Sequence, residues 1–278
     1  MILDIKLVAL DLDGTTLSPD GTISTENERA IREACCAGVN VVISTGRVES
    51  ALPDCVKNIE TIQYAITSNG SRITELKSGR CIHGDFLSRA ALEKSIEIAR
   101  ERKITIEAFY GGLAYIDREL YDEIERNGCD YRDRDYVLKT RIPCDDIYNR
   151  MMDNADIIEN INFFFPSPEI LEEHRAEIES IPDAMITMSF PVNLEVGGPD
   201  TSKSKAVAVL AEMLGISRDQ VMCIGDAPND IEMIKCAGVG VAMGNAWGNT
   251  ASYADYVTSD NEHDGVARAI DRFVFGRE

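Results

Sequence analysis

The chain has 278 residues and a mass of 30.7 kDa, a length for one large domain or two smaller ones. Apolar residues make up 44% and charged residues 27%, which argues against a disordered chain. Basic residues number 28 and acidic residues 48, a net charge of −20 that repels nucleic acid and anionic membranes and favours partners bringing positive charge, such as metal ions.

The chain opens on Ile5–Leu10, an apolar run apart from Lys6 that ends in DLDGT. This is the pattern of a buried parallel strand followed by a turn. The charges on Asp4, Lys6, Asp11 and Asp13 do not fit a secretory signal. Ser24–Glu28 offers a cap and early acids for a helix to about Ala37, with Gly38 to end it. Val39–Ser44 reads as a second buried strand, stopped by Thr45-Gly46-Arg47, and a helix is expected over Val48–Ile59. Tyr64–Thr67 is a third short strand, closed by Ser68-Asn69-Gly70.

The middle of the chain, 84–192, has another texture. It holds 24 acidic and 13 basic residues and most of the aromatic ones. Helical patterns (Ala90–Glu101, Pro168–Ile181) alternate with strand-like runs (Ile104–Tyr110, Asn160–Phe165, Met185–Phe190). In the last part, Ser202–Leu214 reads as a helix, Gln220–Ile224 as a buried strand, Asp230–Ala237 as a helix and Gly238–Met243 as a strand. Tyr256–Thr258 and a helix from Gly265 to about Phe275 follow. The pattern predicts an α/β protein: a doubly wound, mainly parallel Rossmann-like sheet (1–83 and 193–278) with an inserted α+β domain at 84–192. No run of 18 apolar residues exists, so no membrane span is expected. The eight cysteines form no C-x-x-C pair and only three histidines accompany them, so free thiols in a reducing cytosol are expected in place of zinc.

Two stretches concentrate chemistry at expected strand ends, where ligands of open α/β sheets bind. In Asp11-Leu12-Asp13-Gly14-Thr15, one carboxylate can attack an electrophile and the other can carry a proton. Gly225-Asp226 and Asn229-Asp230 add two carboxylates and an amide. Two unit charges about 5 Å apart cost roughly 3 kcal/mol at an effective dielectric near 20, so converging acids need a cation. An all-oxygen set points to Mg²⁺ with a phosphorylated substrate. Thr45 and Gly46 suit a phosphate oxygen, and Lys203 opposes the dipole of the helix it starts.

The order DLDGT, STGR, SK and GDAPND resembles the haloacid dehalogenase-like superfamily, in its Cof-type branch of sugar-phosphatase-like enzymes with a large inserted cap. Asn69-Gly70, Met233–Ala246 and Glu262–Val266 add to the match. The resemblance implies a Mg²⁺-dependent phosphatase acting through an aspartyl-phosphate. Asp11 would be the nucleophile and Asp13 the acid and base, an aspartate where the superfamily's cation-pumping ATPases carry threonine. Leu12 (through its backbone N–H), Thr45, Gly46, Lys203 and Asn229 would hold the phosphoryl oxygens. Asp11, the Asp13 carbonyl and Asp226 would bind Mg²⁺, with Asp230 supporting the metal or Lys203. Thr16 and Ser204 depart from the branch's usual apolar residue and glycine, which leaves Lys203 and Lys205 both open as the phosphate-binding lysine. A phosphotransferase or mutase and a non-catalytic phosphometabolite sensor are the alternatives. The partner implied is a small phosphorylated metabolite; neither its identity nor the oligomeric state can be read from the sequence.

Overall fold

All four residues of Leu7–Leu10 are buried, as expected of a strand covered on both faces, and this strand lies inside the larger of two sheets. The structure, a computed structural model, describes residues 4–277. Its strands are β1 (Leu7–Leu10), β2 (Asn40–Ser44), β3 (Tyr64–Thr67), β4 (Arg72–Glu75), β5 (Arg80–Gly84), β6 (Thr105–Tyr110), β7 (Leu113–Asp117), β8 (Arg141–Cys144), β9 (Ile158–Phe164), β10 (Met185–Thr187), β11 (Asn193–Gly197), β12 (Val221–Gly225), β13 (Val239–Ala242) and β14 (Tyr256–Val257). The described residues divide into two units. One takes in the chain up to Arg47, Leu52–His83 and everything from Ser202 onward; the other is Val48–Ala51 and Gly84–Thr201.

The first unit is an eight-stranded sheet in the order β14-β13-β12-β1-β2-β3-β4-β5. From β14 through β3 every neighbouring pair is parallel, and β4 adds antiparallel to β3. Side chains alternate between the two faces. Val8 and Leu10 pack with Ala30 and Ile31 of the helix Thr25–Cys36 and with Val266 and Ile270 of the helix Gly265–Phe273. Leu7 and Ala9 pack on the other face with Val207 and Leu210 of the helix Lys203–Met213. Helices on both faces make the sheet doubly wound. The helix ends follow the side chains: Ser24 and Ser202 each accept a backbone N–H of the first turn, from Asn27 and Lys205.

The second unit is a six-stranded mixed sheet in the order β10-β11-β9-β6-β7-β8, with only β7 and β8 parallel. One face (Ile106, Ala108, Ile161, Phe163, Leu194, Val196) is apolar and packs with Leu92 and Ile96 of the helix Arg89–Arg102 and Leu171 of the helix Pro168–Glu179. Glu107, Asn162 and Glu195 stand side by side across three strands on the opposite face. Arg141 grips the buried Glu107 at 2.7 and 3.0 Å, and Tyr131 donates to the other Glu107 oxygen at 3.2 Å.

Three segments differ from the sequence reading. Val48–Ile59 is not one helix but a short turn, Glu49–Ala51, and a single-turn helix, Asp54–Lys57. Pro53 between them has no N–H to donate and biases the preceding Leu52 away from helical dihedrals. Val48 and Ala51 pack with Phe109 and Ala114, so this segment groups with the second unit. The second unit also runs to Thr201 instead of ending at 192, because β11 pairs with β9. The expected strand Met185–Phe190 ends at Thr187.

Candidate active site

β1 is flanked by β12 on one side and β2 on the other, and the three run parallel with Leu10 opposite both Ile224 and Ile43. Their carboxyl ends therefore lie at one edge of the sheet. Asp11 leaves β1 there, Thr45 follows β2 and Asp226 follows β12. This is where chain connections diverge and ligand sites of such sheets form.

The turn after β1 is closely tied. The Leu12 carbonyl accepts the N–H groups of Thr15, Thr16 and Leu17 at 2.9–3.2 Å, and the Thr16 hydroxyl donates to the Asp11 carbonyl at 2.6 Å. Thr15 donates to Asp226 Oδ1 at 2.8 Å, and the Asn245 amide to the Gly14 carbonyl at 2.8 Å. Gly14 has φ +83°, and a Cβ there would lie 2.5 Å from Asp226 Oδ2. Only glycine permits both this dihedral and this approach.

Lys203 brings the far end of the chain to Asp11. Its Nζ lies 2.6 Å from Asp11 Oδ1 and 2.7 Å from Asp230 Oδ1, and all three residues are buried. The other Asp230 oxygen accepts the N–H groups of Asp226 and Ala227, both at 3.0 Å. Gly70 makes room for the start of this helix: with φ +104° it lies against the Ser202 carbonyl, where any Cβ would collide. Lys205 lies exposed, whereas Lys203 is buried between these two acids.

Asp11, Asp226 and Asp230 each offer a carboxylate oxygen within 4.8 Å of the others. Burial raises the Asp11 carboxyl well above its ordinary range; the neighbouring Asp230 and Asp226 add to this, and Lys203 opposes it. Asp226 is pushed up to about 6, chiefly by burial, against the Thr15 hydrogen bond. Burial disfavours the Lys203 ammonium, yet Asp11 and Asp230 outweigh it and hold the lysine charged above its usual range.

The remaining predicted residues surround this cluster. Asn69 connects them: its N–H donates to the Thr45 carbonyl at 3.1 Å, its side chain packs on Gly46, and its Oδ1 accepts from Asn229 at 3.3 Å. Ser68 and Asn69 have φ of 50° and 55°, an uncommon conformation for residues other than glycine. The Asp13 carboxylate is exposed, unlike the three buried acids, and is gripped by Arg47 at 2.6 and 2.8 Å. The sequence reading gave no role to Thr15, Arg47, Asn69 or Asn245. Thr15 and Arg47 lay inside quoted motifs, and a positive-φ turn at Ser68-Asn69-Gly70 was the available signal for Asn69. No helix among the described residues is long and apolar enough to cross a membrane, and all eight cysteines are free.

The profile of the family described as haloacid dehalogenase-like hydrolase matches residues 8–270. The 5-amino-6-(5-phospho-D-ribitylamino)uracil phosphatase YcsE of Bacillus subtilis is 35% identical over 98% of this chain and 96% of its own length. The phosphatase YwpJ of the same organism is 31% identical over 96% of this chain and 99% of its own. A solved haloacid dehalogenase-like hydrolase from B. subtilis superposes with a TM-score of 0.80 at 30% identity, covering 96% of this chain and 99% of that one.

Proposed function

Because this chain belongs to the haloacid dehalogenase-like hydrolase family, in its Cof-type branch, and is a phosphoric monoester hydrolase, we propose that it is a Mg²⁺-dependent phosphatase of a small phosphorylated metabolite, a sugar phosphate or similar compound, working through an aspartyl-phosphate on Asp11. The observation that carries this reading is the buried cluster of Asp11, Asp226 and Asp230 around Lys203.

Three carboxylates and one ammonium sum to −3 + 1 = −2, and every ligand atom the cluster offers is an oxygen. That donor set fits a hard divalent cation. Asp230 spends both oxygens on Lys203 and two backbone N–H groups, so its place is to hold the lysine and the turn. The Lys203 ammonium meets Oδ1 of Asp11, and the Thr15 hydroxyl donates to Oδ1 of Asp226. These two carboxylates, with the Asp13 carbonyl, would hold the cation. When bound, Mg²⁺ offsets the excess negative charge and lets an anionic phosphate approach an anionic nucleophile.

An Asp11 oxygen attacks phosphorus and the bond to the leaving oxygen breaks, with Asp13 giving that oxygen its proton. Asp13 then takes a proton from water, which attacks phosphorus and frees Asp11. The Leu12 N–H, Thr45, Gly46 and Asn229 hold the phosphoryl oxygens. Lys203 joins them with the one N–H its two carboxylate partners leave over. Such preorganised donors in a buried site are the main resource of phosphoryl-transfer catalysis.

YcsE, by its name, removes phosphate from a ribityl chain, and the net charge of −20 disfavours a large polyanion. Both point to a compact sugar or polyol phosphate. The eight free thiols suit a reducing cytosol. The test is phosphate release by the full chain with Mg²⁺ across a panel of phosphorylated metabolites. Release that a chelator and Asp11→Asn both abolish is expected; no release from any compound, or an active Asp11→Asn, would overturn the reading.

A further inference from the structure

We propose that Arg47 is a positioning residue for Asp13, holding that carboxylate in the one orientation from which it can serve the reacting oxygens. The assignment rests on the reading of Asp13 as acid and base given above.

Asp13 is the most exposed of the site's four aspartates. Its side chain is 58% exposed, whereas that of Arg47 is 17% exposed. Leu12 before it is buried and Gly14 after it is locked at φ +83°, so the backbone is set but the carboxylate is not. An exposed aspartate would distribute over three staggered χ1 wells. Arg47 removes that freedom: Nε meets Oδ2 at 2.8 Å and Nη2 meets Oδ1 at 2.6 Å, a two-pronged grip that fixes the direction of both oxygens.

Arg47 is itself held along its backbone. Its N–H donates to the Thr45 hydroxyl at 3.2 Å and its carbonyl accepts the Ser68 N–H at 2.9 Å. The next residue, Val48, is buried. The turn that carries Thr45 and Gly46 therefore also aims the guanidinium at Asp13. A guanidinium beside the site could alternatively bind substrate phosphate directly. The two roles separate in kinetics, because a phosphate ligand moves kcat/KM and the inhibition constant of inorganic phosphate, while a group acting through Asp13 on hydrolysis of the phosphoenzyme lowers kcat and leaves both unchanged.

The test is a double-mutant cycle of Arg47→Met and Asp13→Asn, with p-nitrophenyl phosphate, whose leaving group needs no proton. Arg47→Met alone is expected to lower kcat by about three- to tenfold, from rotamer dilution and lost alignment, with kcat/KM and the phosphate inhibition constant unchanged. In the Asp13→Asn background the same change is expected to have no further effect. Arg47→Lys, which keeps the charge and packing but cannot grip two oxygens, should follow Arg47→Met. An equal loss in both backgrounds, a change confined to KM, or full activity in Arg47→Lys would overturn the assignment. A wild type that releases no phosphate would defeat the phosphatase reading and this assignment with it; an active wild type with additive effects would defeat this assignment alone.

Discussion

Lys203 Nζ sits 2.6 Å from Asp11 Oδ1, although 192 residues of sequence and the whole second unit separate them. This ion pair, with Asp230 on the lysine's other side, opposes the burial that disfavours the Asp11 carboxylate. Replacing Lys203 by Met leaves two buried acids without their cation. Losing one partner of a buried pair costs about 3–5 kcal/mol. A lower Tm and a fall in kcat of about a hundredfold or more are expected, read by thermal melting and phosphate release. An active, equally stable Lys203→Met protein would contradict the placement.

The raised carboxyls predict a pH dependence for the proposed metal binding. Asp226 titrates near 6 in the fold against an ordinary value of 3.8, and Asp11 is raised as well. Below the ordinary value both states carry the proton and nothing is lost. Between about 3.8 and 6 the unfolded chain releases this proton while the folded protein keeps it, so metal-free protein loses roughly 3 kcal/mol from Asp226, in full above about 6. A divalent cation relieves that cost and needs the deprotonated ligands. The gain in Tm on adding Mg²⁺ should therefore grow between about pH 5 and pH 7.5. A gain that stays flat across that range would contradict the ligand assignment.

Gly14 offers a local test of the turn. Alanine there would be strained at φ +83° and would drive its methyl into the Asp226 carboxylate, 2.5 Å away. Strain of this kind costs on the order of 1–3 kcal/mol. Gly14→Ala should weaken Mg²⁺ binding more than it lowers Tm, measured by calorimetry and melting. Unchanged Mg²⁺ affinity would show that the turn does not shape the site.

The second unit buries the Glu107–Arg141 pair, whose side chains are 0% and 1% exposed. Arg141→Met strands a buried carboxylate and should destabilise by about 3–5 kcal/mol; Glu107→Met together with Arg141→Met should recover most of that. Thermal melting of the full-length variants reads both. A double variant as unstable as the single one would place the energy in packing.

Much of this architecture was legible because its physics is local. Continuous apolar runs ending in Asp11, Thr45 and Gly225 marked buried parallel strands, and parallel neighbours put their carboxyl ends on one edge. Side-chain pairings were not legible. Thr15 on Asp226 and Arg47 on Asp13 depend on rotamers and on the approach of segments far apart in sequence. Two differences have local causes. Val48, Leu52, Val56 and Ile59 mimic a helical stripe that Pro53 interrupts. β11 carries only Leu194 and Val196 as apolar residues, and only its pairing with β9 assigns it to the second sheet. The strands Arg72–Glu75 and Arg80–Gly84 are too polar to stand out.

The central claim is that phosphorus passes through a covalent bond to Asp11. Asp13→Asn, which slows the hydrolytic half of the cycle, should accumulate that species when given p-nitrophenyl phosphate and Mg²⁺. Reduction with borohydride converts an acyl phosphate to an alcohol, and peptide mapping by mass spectrometry then locates it. Homoserine at position 11 is the result the account predicts; an unmodified Asp11 in protein that has released nitrophenol, or modification at another carboxylate, would contradict it.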